Sequence, residues 1–100
     1  MKNGYKVIWS AEAVRNIEDI IQYLQTNWTD KEIRKFFVKL DKRIALISSR
    51  PLIFPSTQTK AQAHRSVLSK QTTIYYKVLK DQILILALFD NRQDPDKLKT

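Results

Sequence analysis

The sequence predicts an α+β fold: an antiparallel helical hairpin packed on a mostly antiparallel four-stranded sheet, with the element order β-α-α-β-β-β. Residues 83–89, ILILALF, are apolar without a break but too few to span a membrane, which predicts a buried central strand. Residues 10–49 carry apolar side chains at helical spacing, with one interruption near residues 27–30. Three strand-like segments follow the helical region, and such an order is typical of α+β layer folds.

The bulk composition is that of one ordered domain. We expect it to span residues 1–100, with mobile tails at 1–4 and 96–100. The chain has no cysteine, one histidine and a single glycine, Gly4. It therefore offers no disulfide, no clustered metal ligands and no glycine-rich phosphate loop, and we expect no metal and no cofactor.

The charge and the N-terminus bear on partners and location. The N-terminal residues contain no secretory signal, so we expect a cytoplasmic protein that does not insert into a membrane. The net charge of +8 indicates an anionic partner, either nucleic acid phosphates or an acidic protein.

The first elements along the chain are a short strand at residues 5–9 and an amphipathic helix. Ser10 is suited to cap this helix, which we predict over residues 10–27. Its predicted core positions follow one another at a spacing of three or four residues: Val14, Ile17, Ile20, Ile21, Leu24 and Trp28.

A second helix is predicted to begin at Thr29 and to end near Ser48 or Ser49, before Pro51. Thr29 and Glu32 have the spacing of a capping box. Because the connection between the helices is short, they should form an antiparallel hairpin with its apolar face on the sheet. A basic stripe follows the outer side, and a solvated surface is its simplest interpretation: Lys31, Arg34, Lys35, Lys39 and Lys42.

The remaining strands begin after a long loop at residues 49–63. Residues 64–69 predict a short strand that displays Arg65 on one face. Residues 72–79 predict another strand, in which side chains alternate between an apolar face and a wetter face that carries Tyr75 and Lys77. This strand should form an antiparallel hairpin with the central strand.

Two helices can cover only one face of this sheet, although its last strand is apolar on both faces. Either the loop folds over the second face through Leu52 and Phe54, or a partner protein covers it.

The residues with chemical potential lie in the last three strands. A metal-free ribonuclease needs a base, an acid and cations for the phosphate, and the candidates are His64, Arg65, Tyr75, Lys77 and Arg92. Each also has a structural interpretation. In that interpretation, His64 is a polar edge residue, the arginines pair with carboxylates, and Tyr75 and Tyr76 are packing residues whose hydroxyls reach water. In a simple meander, Arg65 and Arg92 lie at opposite ends of the sheet.

Three segments, in this order, resemble the RelE/ParE superfamily of bacterial toxins from type II toxin-antitoxin modules. They are WSAEAVRNIEDIIQYLQTNW (9–28), EIRKFFVKLDKRIALISSRP (32–51) and IYYKVLKDQILILALFDNRQDP (74–95), and the likeness extends over residues 5–98. The pattern IIxYxxxxW, followed by a basic helix that ends in proline, is similar to the ParE branch. The resemblance implies a growth-inhibiting toxin of the plasmid-stabilisation type and a cognate antitoxin that neutralises it with an acidic, amphipathic segment.

The resemblance implies one of two activities. ParE-like members block DNA gyrase without covalent chemistry, whereas RelE-like members cleave mRNA on the ribosome. Aligned without gaps, the catalytic RelE residues match this chain only at Arg92; the others fall on His64, Ser66, Thr73 and Leu98.

We therefore expect a gyrase inhibitor that is not an enzyme. Its target-binding residues would be Arg65, Tyr75, Lys77 and Arg92. The alternative is a ribosome-dependent mRNA endonuclease, a metal-free enzyme that would use His64, Arg65 and Arg92.

Overall fold

A computed structural model describes residues 4–56 and 63–90 of the chain. The predicted order of elements is confirmed: β1 (Lys6–Trp9), α1 (Ala11–Asn27), α2 (Asp30–Ser49), a short 3₁₀ helix (Pro51–Ile53), β2 (Ala63–Val67), β3 (Thr72–Leu79) and β4 (Gln82–Asp90). The strands form one sheet in the order β1-β4-β3-β2. β1 runs parallel to β4, and the other two pairs are antiparallel. Apart from Gly4, the tails predicted to be mobile lie outside the described residues.

Both helices begin at the predicted caps. The Oγ of Ser10 accepts a hydrogen bond from the Ala13 amide at 3.0 Å, and the Oγ1 of Thr29 accepts one from the Glu32 amide at 3.3 Å. These bonds satisfy backbone donors that the first turn of a helix leaves without a partner. No helix in residues 4–56 and 63–90 is long and apolar enough to cross a membrane.

The helical hairpin covers one face of the sheet, which we call the covered face. Buried side chains from both helices meet buried side chains from β3 and β4 there, and they form the core: Ala13, Ile20, Leu24, Leu40, Ile47, Ile74, Tyr76, Ile83, Ile85 and Leu88. Predicted core positions are wrong at Val14 and Trp28, which are 41% and 42% exposed. Val14 lies about 100° around the helix axis from buried Ala13, and Trp28 lies just beyond the end of α1.

A β-bulge interrupts the pairing of β3 with β4. Tyr75 pairs with Ala87 but Tyr76 pairs with Ile85, so Leu86 is the additional residue. Side chains at the start of α1 bond to the backbone on both sides of the irregularity. Ser10 donates to the Leu86 carbonyl at 2.9 Å, and Asn16 accepts from the Leu88 amide at 3.0 Å.

The segment that follows α2 packs on the covered face. The ring of Phe54 meets the ring of Tyr76 edge-on, with centroids 6.5 Å apart, while Leu52 is 72% exposed. The Arg65 amide donates to the Pro55 carbonyl at 2.9 Å, so this segment also runs along the outer edge of β2. For the described part of the loop, the interpretation that Leu52 and Phe54 cover the second face is therefore wrong. Phe54 instead fills the space beside Tyr76 at the end of the helical layer.

Candidate target-binding face

The face of the sheet opposite the helices is the candidate functional site, and we call it the open face. None of the side chains that β3 and β4 place there is buried, whereas most of those on the covered face are. The register places two kinds of side chain on the open face: cationic and aromatic ones from β2 and β3, and mainly apolar ones from β1 and β4, with Lys6 and Gln82 at one end. Its central members are Ile8, Arg65, Val67, Thr73, Tyr75, Lys77, Leu84, Leu86, Ala87 and Phe89.

Arg65, Tyr75 and Lys77 are brought together on the open face. Arg65 lies directly opposite Tyr75 on the neighbouring strand, and Lys77 lies two residues further along β3. Tyr75 therefore has Arg65 as its direct neighbour across the strands and Lys77 as its next neighbour on the same face of β3. The one ion pair formed between described residues joins Arg15 and Glu12 on α1, so no described carboxylate neutralises Arg65 or Lys77. Both charges are available to an anionic partner.

His64 and Ser66 lie on the covered face, on the side of β2 away from Arg65. The His64 ring stacks on Tyr76, with centroids 5.2 Å apart and an interplanar angle of 18°. Its Nδ1 lies 2.9 Å from the Phe54 carbonyl oxygen. Because a carbonyl only accepts, Nδ1 carries the proton and donates it there. These two positions, on which the RelE lysines fall, therefore do not reach the open face.

Tyr76 lies beneath His64 in the core. Its side chain has no exposed surface, and its hydroxyl donates a hydrogen bond to the Pro51 carbonyl. Burial raises the pKa of Tyr76 to about 12, because the phenolate would lose its hydration. The interpretation that the hydroxyl of Tyr76 reaches water is therefore wrong, whereas Tyr75 is half-exposed, as a packing residue on the wetter face should be.

The apolar half of the open face was not among the predicted site residues. Ile8 on β1 pairs with Leu84, and Phe89 pairs with Thr73 near the other end of β4. These side chains are half-exposed. The unbroken apolar run of β4 was the signal for them, but the bulge decides which of its residues point to which face.

Two further predictions concern the limits of the site. Arg92 lies outside the described residues, and so does the predicted separation between Arg65 and Arg92. Within residues 4–56 and 63–90, no group of three or more potential metal ligands occurs.

Several solved structures have the same architecture. A chain of the chromosomal ParDE TA system from P. aeruginosa is similar with a TM-score of 0.74 and 10% identity, over 89% of this chain and 98% of that chain. A chain of the E. coli DinJ-YafQ toxin-antitoxin complex is similar with a TM-score of 0.60 and 11% identity, over 89% of this chain and 94% of that chain. The conserved hypothetical protein HP0894 from Helicobacter pylori has a TM-score of 0.58 and 12% identity, over 88% of this chain and 96% of that chain. These similarities show that the fold is one found in toxin-antitoxin systems.

The family is shown by sequence. A family model described as the ParE toxin of the type II toxin-antitoxin system, parDE, matches residues 7–95. This chain therefore belongs to the ParE toxin family, and the resemblance to the RelE/ParE superfamily seen in its sequence is confirmed. No curated protein matches the chain.

Proposed function

We propose that this chain inhibits bacterial growth by poisoning DNA gyrase, without covalent chemistry of its own, and that a cognate antitoxin holds it inactive in the cytoplasm. The observation that carries the proposal is the match to the ParE toxin family over residues 7–95.

The chemistry of the open face supports binding over cleavage. Transfer of a phosphodiester without a metal needs a base and an acid near the reacting atoms. The chain has one histidine, and His64 is directed to the covered face, with its Nδ1 proton engaged by the Phe54 carbonyl. The open face offers instead two cations beside Tyr75, a combination suited to anchoring an anionic or aromatic surface of a partner.

The two halves of the open face support an antitoxin with an amphipathic, acidic segment. Apolar residues of such a segment would cover Ile8 and Leu84, and its carboxylates would meet Arg65 and Lys77. Similar chains come from the ParDE TA system and the DinJ-YafQ toxin-antitoxin complex, in agreement with such a partner. A segment of this kind would also block the face that we assign to the target.

The test is to add the purified chain to gyrase and relaxed plasmid DNA, and separately to a translating extract. We expect supercoiling to be inhibited, cleaved DNA to accumulate and mRNA to remain intact. Arg65→Gln should weaken inhibition, whereas Lys80→Gln, in the exposed turn between β3 and β4, serves as a control of equal charge. Intact DNA together with mRNA cut within codons would overturn the proposal and support the RelE-like endonuclease.

A further inference from the structure

The basic stripe is a second cationic surface, separate from the open face. Lys31, Arg34, Lys35, Lys39 and Lys42 are all exposed on the outer side of α2, as the sequence predicts. The stripe covers eleven residue steps of α2, which corresponds to a length of about 16 Å. A helix of this length holds its side chains on a straight and rigid support.

Little in the described part of the chain neutralises the stripe. Among described residues, the single ion pair lies on α1, and none of the five cations takes part in it. The acidic residues of α2 are Asp30, Glu32 and Asp41, and none of them lines the groove that the stripe surrounds. The five charges therefore add to a local positive potential along one side of the molecule.

The side chains of the stripe line a shallow groove with a volume of about 520 Å³. It lies between two ridges of side chains, one formed by Lys31, Lys35 and Lys39, and the other by Arg34, Val38 and Lys42. Val38 is 54% exposed and is the one apolar side chain among the residues that line it. The groove can therefore receive a narrow anionic ridge between the charged ends of its basic side chains, whose aliphatic stems form its walls together with Val38.

The kinds of side chain decide between the possible anionic partners. Four of the five cations are lysines, and lysine is depleted in protein–protein interfaces because its ammonium group is strongly hydrated. A stable protein interface is also enriched in aromatic and other large apolar residues at its centre, and Val38 is the one apolar residue that lines this groove. A phosphate backbone requires neither, because its contacts with lysine stay hydrated and gain from the release of counterions.

We propose that the basic stripe binds the sugar-phosphate backbone of a nucleic acid duplex, without reading its sequence. A duplex carries about one charge per 1.7 Å of axis, so a stripe of this length meets several phosphates. The binding is a property of the toxin alone and does not depend on gyrase. It would let the toxin remain on DNA or structured RNA while the open face contacts its protein target.

The experiment measures binding to a 20-base-pair duplex of arbitrary sequence, as DNA and as RNA, over a range of salt concentrations. Lys35→Gln/Lys39→Gln removes two cations from the centre of the stripe. Lys6→Gln/Lys80→Gln removes the same charge from exposed positions at the other side of the sheet. Glutamine is nearly as good a helix former as lysine, so α2 should persist, and circular dichroism checks this.

We expect the stripe variant to weaken duplex binding by on the order of tenfold per lost contact at about 50 mM salt. The slope of log K against log salt should fall by roughly 0.9 per contact, and the control variant should change it by less than half as much. Equal effects of the two variants would overturn the proposal, because net charge alone would then explain the binding. A polyglutamate chain that binds as tightly as the duplexes, with the same dependence on Lys35 and Lys39, would also overturn it and assign the stripe to an acidic protein segment.

Discussion

Arg43 of α2 donates hydrogen bonds from Nη1 to the hydroxyl of Ser66 at 2.8 Å and to the carbonyl of Val67 at 2.7 Å. Its guanidinium carbon also lies 5.4 Å from the centroid of the Phe54 ring. One side chain thus joins the second helix, the segment that follows it and the edge strand β2. Since β2 displays Arg65 on its other face, this contact helps to position the candidate site.

Arg43→Met should lower the free energy of unfolding by about 2 kcal/mol. The substitution keeps the aliphatic stem, but it leaves the fully buried hydroxyl of Ser66 without its charged donor. Urea denaturation measures the change. Lys42→Met, at the neighbouring exposed position, is the control and should alter stability by no more than about 0.5 kcal/mol. Equal losses in both variants would mean that the contacts of Arg43 contribute nothing specific.

A second prediction concerns Asn16 and the bulge in β4. Asn16→Ala removes the acceptor of the Leu88 amide and should cost about 1–2 kcal/mol of stability, with faster hydrogen exchange at that amide. Asn16→Asp retains an acceptor oxygen but loses the amide group that donates to Glu12, so it should preserve part of the protection of Leu88, and Asn16→Asp/Glu12→Gln should preserve most of it. Unchanged exchange at Leu88 in Asn16→Ala would show that water replaces the side chain without cost.

The bulge also marks the limit of what the sequence could predict. Counting back from the two-residue turn at Lys80 and Asp81 pairs Leu79 with Gln82, and the structure keeps this register as far as Tyr76 and Ile85. Beyond that point the predicted pairing is wrong by one residue, because Leu86 is an additional residue in β4. No glycine or proline near Leu86 indicates a bulge in the sequence. Phe89 therefore lies on the open face, opposite Thr73, where a regular hairpin would place Leu88.

A third prediction follows from the raised pKa of Tyr76. The folded state holds this proton more tightly than the unfolded state, whose tyrosine has the ordinary pKa of about 10. The stabilisation is complete below pH 10 and is lost as the pH rises towards about 12, the pKa in the folded protein. Unfolding free energy should therefore fall through this range, by up to about 1.4 kcal/mol per pH unit.

Tyr76→Phe isolates this contribution from other groups that titrate in the same range. At pH 8 the variant should be less stable by about 1 kcal/mol, since it lacks the hydrogen bond to the Pro51 carbonyl. The difference should shrink above pH 10 and change sign before pH 12. Denaturation curves of the two proteins at several pH values measure it, and a difference that stays constant with pH would contradict the assignment.

The covered and open faces could be predicted in part from local alternation. The pattern of residues 72–79 is enough to place Tyr75 and Lys77 together on the wetter face, and the structure agrees. The role of Arg43 was not predictable, because a basic residue on an amphipathic helix gives no sign that it reaches a strand more than twenty positions away. Which residues of β2 lie on the open face could not be predicted either, because this depends on the register of β2 with β3 and not on the sequence of β2 alone.

The last prediction separates the open face from His64 as the site of action. Arg65→Gln and Lys77→Gln each remove a charge beside Tyr75, and we expect each to weaken binding to gyrase by about tenfold or more and to relieve toxicity. His64→Gln, on the covered face, should leave binding unchanged because the new amide can still donate to the Phe54 carbonyl. Binding of purified variants to gyrase, with growth after induced expression, measures both effects, and thermal denaturation confirms that each variant is folded. Full toxicity in both open-face variants, together with its loss in folded His64→Gln, would move the site to the covered face and would favour a reaction in which the histidine transfers a proton.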